Sequence, residues 1–390
     1  MLLRARRRMA VPILAMLAGL TLGASPACAE EAPEGKPLVA VFNATVDLIG
    51  PVRGPSRAVS FTRNMDLSVD LDLDRTLGWA GGVAHVDVDY ASGRPNARVG
   101  SLQGVDNIET EGRRVRLYQA WAEADVAGPA NLRLGFSDLS GEFGVVESSA
   151  QLINPSFGLA PDFAASGAGA FPSTAAGARL RLKLAQDAYL IASASNATAG
   201  VPGDPGGPDF HFDNGAIVTA EAGWTGAGKI AVGSWRLTKR QDDLFATDST
   251  GAPRHRSGFG VYALGETRLS PAAEGARVLT GFTRAGLSDG RTTEFKGSWQ
   301  GGVLLEPALE ARPESSLSIG VTQAWLSRPY RQAMRAAGNR LGRAETVFEL
   351  GYSDQLTPRL RVQPDLQVVR RPGGQGRTAI VAGLRLGFGL

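Results

Sequence analysis

The chain has 390 residues, with 41 basic against 38 acidic side chains, a formal net charge of +3 and one cysteine. Four of those basic residues, Arg4, Arg6, Arg7 and Arg8, and the lone Cys28 lie in the first 29 residues; without that leader the charge is 37 − 38 = −1. A near-neutral, cysteine-free body argues against nucleic-acid binding and against a disulfide framework, and no later apolar run reaches the roughly 18 residues of a transmembrane helix.

The leader reads as a secretory signal. Its arginines precede an apolar stretch from Val11 to Leu22, and Ala27-Cys28-Ala29 forms an A-x-A cleavage site ahead of Glu30-Glu31. Residues 1–29 are expected to be removed, leaving 30–390 as a single domain. A lipid anchor on Cys28 is the alternative, but Ser25-Pro26-Ala27 is a poor approach to a lipidated cysteine.

The dominant pattern of the body is a period of two. Phe42, Ala44, Val46 and Leu48 interleave with Asn43, Thr45 and Asp47, and Leu67, Val69, Leu71 and Leu73 interleave with Ser68, Asp70 and Asp72. The alternation returns at Ala84–Tyr90, Leu132–Phe136, Leu180–Leu184, Phe348–Tyr352, Leu360–Val368 and Leu384–Leu390. Each such stretch predicts a strand with one apolar and one polar face. A soluble sandwich shares that period. Successive Arg or Asp on the polar face suit a water-filled lumen better, and Trp79, Tyr90 and Tyr352 near strand ends suit an interfacial girdle. The predicted fold is therefore an all-β transmembrane antiparallel barrel, with Leu67, Leu71, Leu134, Leu182, Leu350 and Leu386 facing lipid.

Turn-rich segments run Ser92–Gly112, Gly141–Gly177, Gly200–Gly215 and Gln241–Ser257, and the second, at 37 residues, is the longest. A loop of that size in a compact domain is usually functional. It carries Glu142, Glu147 and Asp162, while the flanking strands carry Arg133 and then Arg179, Arg181 and Lys183 on the polar face. Folded inward, the loop would set carboxylates opposite guanidinium groups across a narrow passage, offering hydroxyl-rich solutes both acceptors and donors. The simpler alternative is that these charges only hydrate the wall.

Other motifs carry less. Gly223-Trp224-Thr225-Gly226-Ala227-Gly228-Lys229-Ile230 resembles a phosphate loop, but Ile230 stands where a Ser or Thr should bind magnesium, and a turn between strands accounts for it. Asp70-Leu71-Asp72-Leu73-Asp74 lacks the turning glycine of a calcium loop. His85, His211 and His255 are scattered without metal-ligand spacing, and no catalytic elbow or zinc helix occurs. No cofactor and no enzyme activity are expected.

Several pieces, in order, match a known family. They are Asn64 and Asp66 to Trp79-Ala80-Gly81; Arg116-Leu117-Tyr118-Gln119-Ala120-Trp121; Leu132 to Phe136 leading to Glu142-Phe143; and Asn154-Pro155-Ser156-Phe157-Gly158. Gly177 to Arg181, Gly233-Ser234-Trp235, Glu345 to Tyr352, Gln363 to Gln367 and Arg371-Pro372-Gly373-Gly374 continue the series. From about residue 60 to the end the chain resembles the carbohydrate-selective porins of Gram-negative outer membranes, the OprB family. The resemblance implies a monomeric barrel of 16 strands, with long outer loops and a pore-constricting loop, that admits small sugars down their gradient, sits in outer-membrane lipid and is inserted by the barrel assembly machinery. Over about 361 residues this allows roughly 22 or 23 per strand with its connection. The chain ends Gly387-Phe388-Gly389-Leu390, so Phe388 is expected to serve as the aromatic assembly signal. A non-transporting barrel, such as an adhesin, assembly factor or barrel enzyme, is the alternative function.

Overall fold

The computed structural model describes residues 36–197, 210–271 and 277–389; the predicted signal segment and Leu390 lie outside the described residues. The first nine strands are β1 (Leu38–Arg53), β2 (Ser60–Asp72), β3 (Val83–Gly93), β4 (Thr110–Ala127), β5 (Ala130–Ser137), β6 (Ala175–Lys183), β7 (Ala188–Asn196), β8 (Ala216–Trp224) and β9 (Gly228–Leu237). After a hairpin of β10 (Gln241–Thr247) and β11 (Pro253–Arg256) come β12 (Phe259–Arg268), β13 (Val278–Ser288), β14 (Phe295–Glu306) and β15 (Ser316–Leu326). β16 (Ala344–Thr357), β17 (Leu360–Arg370) and β18 (Thr378–Gly389) complete the wall.

All strands but the hairpin join in one closed antiparallel barrel of 16, each beside its neighbour in sequence except that β9 pairs with β12. β18 returns to β1, with Asn43 opposite Gly389 and Leu48 opposite Leu384. Closure matters because lipid offers the backbone no hydrogen-bond partner, and only a ring leaves no open edge.

Directly opposed residues in an antiparallel pair point to the same side, so the register carries one face around the wall. Leu67, Leu71, Leu134, Leu182, Leu350 and Leu386 all fall on the outer face, with Leu67 47%, Leu134 54% and Leu350 42% exposed. Their neighbours in sequence point inward, among them Asp66, Arg133, Arg181, Glu349 and Arg385. The period of two thus reported the phase of the wall correctly.

The connections differ sharply between the two ends. At the end where β1 begins and β18 finishes, β4–β5, β6–β7, β8–β9 and β16–β17 are joined by tight turns. The Gly223–Ile230 motif is one of these, turning from β8 into β9. The opposite end carries the long segments 94–109, 138–174 and 327–343, and by the usual polarity of such barrels it is extracellular.

One expectation about connections needs correction. The stretch Gln241–Ser257, read as a loop, contains the β10–β11 hairpin. The 327–343 segment forms a helix, α4 (Arg328–Ala336), that periodicity did not signal; Ser327 caps it by accepting from Tyr330 N–H, and a proline sits in its first turn. Three shorter helices are α1 (Leu73–Leu77), α2 (Pro155–Gly158) and α3 (Pro161–Ala164), and Asp72, expected on a strand face, also accepts from Arg75 N–H as the cap of α1.

Placing Arg at mid-wall Leu67 should destabilise the barrel by about 2–4 kcal/mol, whereas Ser68→Arg on the inner face should cost much less. Reversible unfolding in lipid vesicles reads the difference, and equal costs would contradict the assigned phase.

Candidate functional site

Segment 138–174 does not stay outside the barrel. Its apolar residues Leu139, Phe143, Val146, Leu152, Phe157 and Phe163 are buried against inward-facing Ile191, Ile217, Trp235, Tyr262, Leu264 and Phe282 of the wall. The Phe163 ring stacks on Trp235 and on Tyr262, at centroid distances of 6.1 and 5.8 Å. One side of the lumen is therefore dry and packed, because a loop with six large apolar groups gains more from the wall than from water.

Polar wall residues then meet the loop's backbone. Glu349 accepts from Ile153 N–H and, at 3.0 Å, from Asn154 N–H. Glu221 accepts from Gly144 N–H at 2.7 Å and from the Tyr189 and Tyr262 hydroxyls at 2.7 and 2.8 Å. Glu266 accepts from Ser148 N–H at 2.9 Å and from its hydroxyl at 2.6 Å. Arg284 donates to the carbonyl oxygens of Gly144, Ser156, Phe157 and Gly158 and to Gln300 Oε1. A loop that turns inside a protein leaves peptide groups without secondary-structure partners, and these side chains supply them.

Segment 94–109 is held in the same way. Glu345 accepts from Ser101 Oγ–H at 2.7 Å and from the N–H groups of Leu102, Gln103 and Gly373 at 3.0, 2.9 and 2.7 Å. Arg385 pairs with Asp47 at 2.7 Å and also donates to Asn107 Oδ1 at 2.7 Å. Burial, with Asp47 nearby, holds the Asp106 carboxyl of this loop well above the usual carboxylate range.

Where the longer loop meets β4, β5 and β6, four charges converge. Arg133 and Arg179 stand directly opposite each other across β5–β6. Like charges in that position repel. Two carboxylates offset them: Glu123, opposite Arg133 on β4, lies 2.7 Å from Arg133 and 2.5 Å from Arg179, and Glu142 of the loop lies 2.6 and 2.8 Å from the same two. Arg133 also lies over the Trp121 ring, 3.6 Å from its centroid, and His85 stacks on that ring at 4.8 Å. His85 Nδ1 in turn contacts Asp70 Oδ1 at 2.8 Å. The result is a continuous inward-facing strip, Asp70–His85–Trp121–Arg133–Arg179, with carboxylates on both sides of the guanidinium pair.

Of the residues singled out from sequence, the structure brings together Arg133, Arg179 and Glu142. Arg181 faces inward two residues further toward the periplasmic end, with its guanidinium 5.7 Å from the Tyr189 ring centroid, and Lys183 is exposed at that end. Glu147 is exposed, and its backbone N–H is what meets the wall, at Glu266. Asp162 lies against β14, buried, where it accepts from the Ser298 hydroxyl and its carboxyl is raised above the ordinary range by desolvation. Neither Glu147 nor Asp162 faces the arginine pair. Glu123, Trp121, His85 and Asp70 were not singled out as site residues; each sits at an inward position of its strand, but only the register shows that they adjoin Arg133. Among the described residues no group of His, Cys, Asp and Glu has the arrangement of a metal site.

Arg284→Met should leave the loop's carbonyl oxygens without a donor, at about 1–3 kcal/mol for each group left unsatisfied. Protease cleavage within 138–174 and open-channel current noise should both rise. Wild-type values for both would assign the anchorage to the apolar contacts alone.

The family model for "Carbohydrate-selective porin, OprB family" matches residues 57–390. Porin B of Pseudomonas aeruginosa is 22% identical over 371 residues, covering 84% of this chain and 81% of that protein. A high-pH structure of Pseudomonas putida OprB superposes with a TM-score of 0.80 at 21% identity, covering 90% of this chain and 94% of the other, and a low-pH structure of the same protein gives 0.59 at 17%. With the closed barrel and its infolded loop, the match over almost the whole body settles the assignment: the chain belongs to the carbohydrate-selective porins of the OprB family.

Proposed function

We propose that the barrel is a passive outer-membrane path for small sugars and similar polar solutes, and that its selective section is the strip where Glu142 meets Arg133 and Arg179. The supporting observation is the pairing of two guanidinium groups with two carboxylates beside an indole, on the inner wall where the infolded loop reaches it. A sugar hydroxyl both donates and accepts. Arg133 and Arg179 offer fixed donors, Glu123 and Glu142 offer acceptors, and their mutual ion pairs hold both sets in place as the solute exchanges one hydrogen bond for another. Conduction requires that no single contact be tight, and a strip of shared partners meets that requirement better than a closed pocket. Arg181 and Lys183 extend the donors toward the periplasmic exit, while Glu147 and Asp162 serve to seat the loop. Solutes move down their gradient without an energy source. The chain reaches the membrane after cleavage of residues 1–29, is inserted by the barrel assembly machinery through its C-terminal strand, and works as a monomer.

Liposome swelling with sugars, amino acids and anions of matched size tests this assignment. The wild-type protein should admit the sugars fastest, and Arg133→Gln combined with Arg179→Gln should reduce that preference while Arg254→Gln with Arg256→Gln, on the outer hairpin, leaves it unchanged. Identical rates for all solutes in wild type and the first double variant would overturn it.

The role of Phe388 is tested separately. It lies on the outer face opposite Ala44 and Leu360. Phe388→Ala should lower the amount of heat-modifiable barrel in the outer membrane while export across the inner membrane continues, and unchanged levels would place the assembly signal elsewhere.

A further inference from the structure

The charges on the outer wall are one-sided. Following the register around the barrel, the basic residues paired on the lipid face, among those described, are Arg53, Arg63, Arg113, Arg236 and Arg370. Each lies within four residues of the extracellular end of its strand, whereas the carboxylate paired on that face, Asp354 opposite Val362, lies near the periplasmic end of β16 and is held by Arg312 at 2.7 Å. Charge at mid-bilayer would be costly, but at the headgroup level it is free to meet lipid phosphate.

Two of these arginines form one row. Arg63 and Arg113 stand on either side of Ser92, on β2 and β4, and Arg63 Nε–H donates to Ser92 Oγ at 3.0 Å. Its guanidinium is also placed by the rings of Phe61 and Tyr90, at 5.3 and 5.9 Å from their centroids. With neighbouring strands about 4.8 Å apart, the two guanidinium stems rise roughly 10 Å from each other, a span that one phosphate group can bridge.

Directly below this row the wall is notched. β4 runs for 18 residues while β5 and β6 have 8 and 9, so the upper part of β4 stands beyond its neighbour. In the step lies an apolar cavity of about 520 Å³ lined by Leu117, Ala120, Phe136, Ala176, Gly177 and Phe210. Phe136 and Phe210 meet edge to face at 4.9 Å, so a residue from the β7–β8 connection folds down over the outside of the wall. Leu117 follows Arg113 by four positions on the same outer face, or about 13 Å down the strand. Phosphate above and hydrocarbon below is the order in which an outer-leaflet lipid presents its parts.

We propose that the outer wall at β2–β6 is a binding site for a phosphorylated, acylated lipid of the outer leaflet, with Arg63 and Arg113 on its phosphate and an acyl chain in the groove beneath Phe210. A second copy of the chain is the less suitable occupant, because a two-fold contact through this face sets arginine against arginine, and Glu111, two residues before Arg113 on β4, is already paired with Arg94 at 3.0 Å.

The test is native mass spectrometry of the full-length barrel in detergent, titrated with diphosphorylated hexa-acyl lipid A, with the same lipid dephosphorylated, and with inorganic phosphate as competitor. Wild type should retain the phosphorylated lipid at least tenfold more tightly than the dephosphorylated one. Arg63→Gln with Arg113→Gln should remove that difference, and Ala176→Phe, which fills the groove, should weaken both lipids. Arg236→Gln, on the same face but away from the groove, should change neither, and heat-modifiability and conductance should stay at wild-type values in all three. Undiminished retention in the arginine double variant, an equal loss in Arg236→Gln, full displacement by inorganic phosphate, or a dimer that occludes the groove would each overturn the proposal.

Discussion

Everything in this barrel rests on the requirement that its strands close, because hydrocarbon offers an unpaired peptide group nothing. The last seam, β1 against β18, carries the clearest trace of that requirement. Asp47 and Arg385 face each other across it on the inner side, paired through contacts of 2.7 to 3.1 Å, and Arg385 extends to Asn107 of the 94–109 segment. The ion pair that spans the seam thus also fastens a loop inside the ring. A buried pair of this kind is a weak source of stability by itself, and its contribution here is to favour one register and one loop position over others.

The same economy recurs around the wall. A closed barrel forces every second residue into the interior, and a porin interior cannot be filled by wall side chains alone. The chain fills part of it with its own loops. Their peptide groups need partners, and Glu221, Glu266, Arg284, Glu345 and Glu349 supply them. None of the wall residues in the loop's apolar packing comes from β2 to β6, and there the carboxylate that the loop presents to the arginine pair, Glu142, joins the wall's charges. On the function proposed above, anchorage and selectivity are coupled: whatever frees the loop also removes Glu142 from Arg133 and Arg179.

The fold was legible in the sequence because its two strongest constraints are periodic. Leu67, Leu71, Leu350 and Leu386 announce the lipid face by alternation, and the length of Gly141–Gly177 announces a segment too long for a simple connection. The interior was read less well, for a definite reason. Alternation says that Glu221, Arg284 or Glu349 points inward, but not whether water or a loop backbone meets it, and the apolar inward residues Trp235, Tyr262 and Phe282 reverse the expected polarity where the loop packs. Arg133, Arg179 and Glu142 were accessible because they flank or open the loop in sequence. Glu123 adjoins them only through the register of β4 against β5, and Asp162 was misplaced because a loop's carboxylates can turn toward either wall. The helix α4 did carry a local signal, Ser327 followed by Arg328-Pro329, to which a period of two is blind.

The most direct measurement is the single-channel conductance and sugar exclusion limit of a barrel in which residues 140–172 are replaced by a short glycine linker, with heat-modifiability confirming that it still closes. If the infolded segment forms the selective section, conductance rises, larger oligosaccharides pass and discrimination among solutes of equal size is lost. Unaltered conductance and an unaltered exclusion limit would place the constriction elsewhere in the barrel.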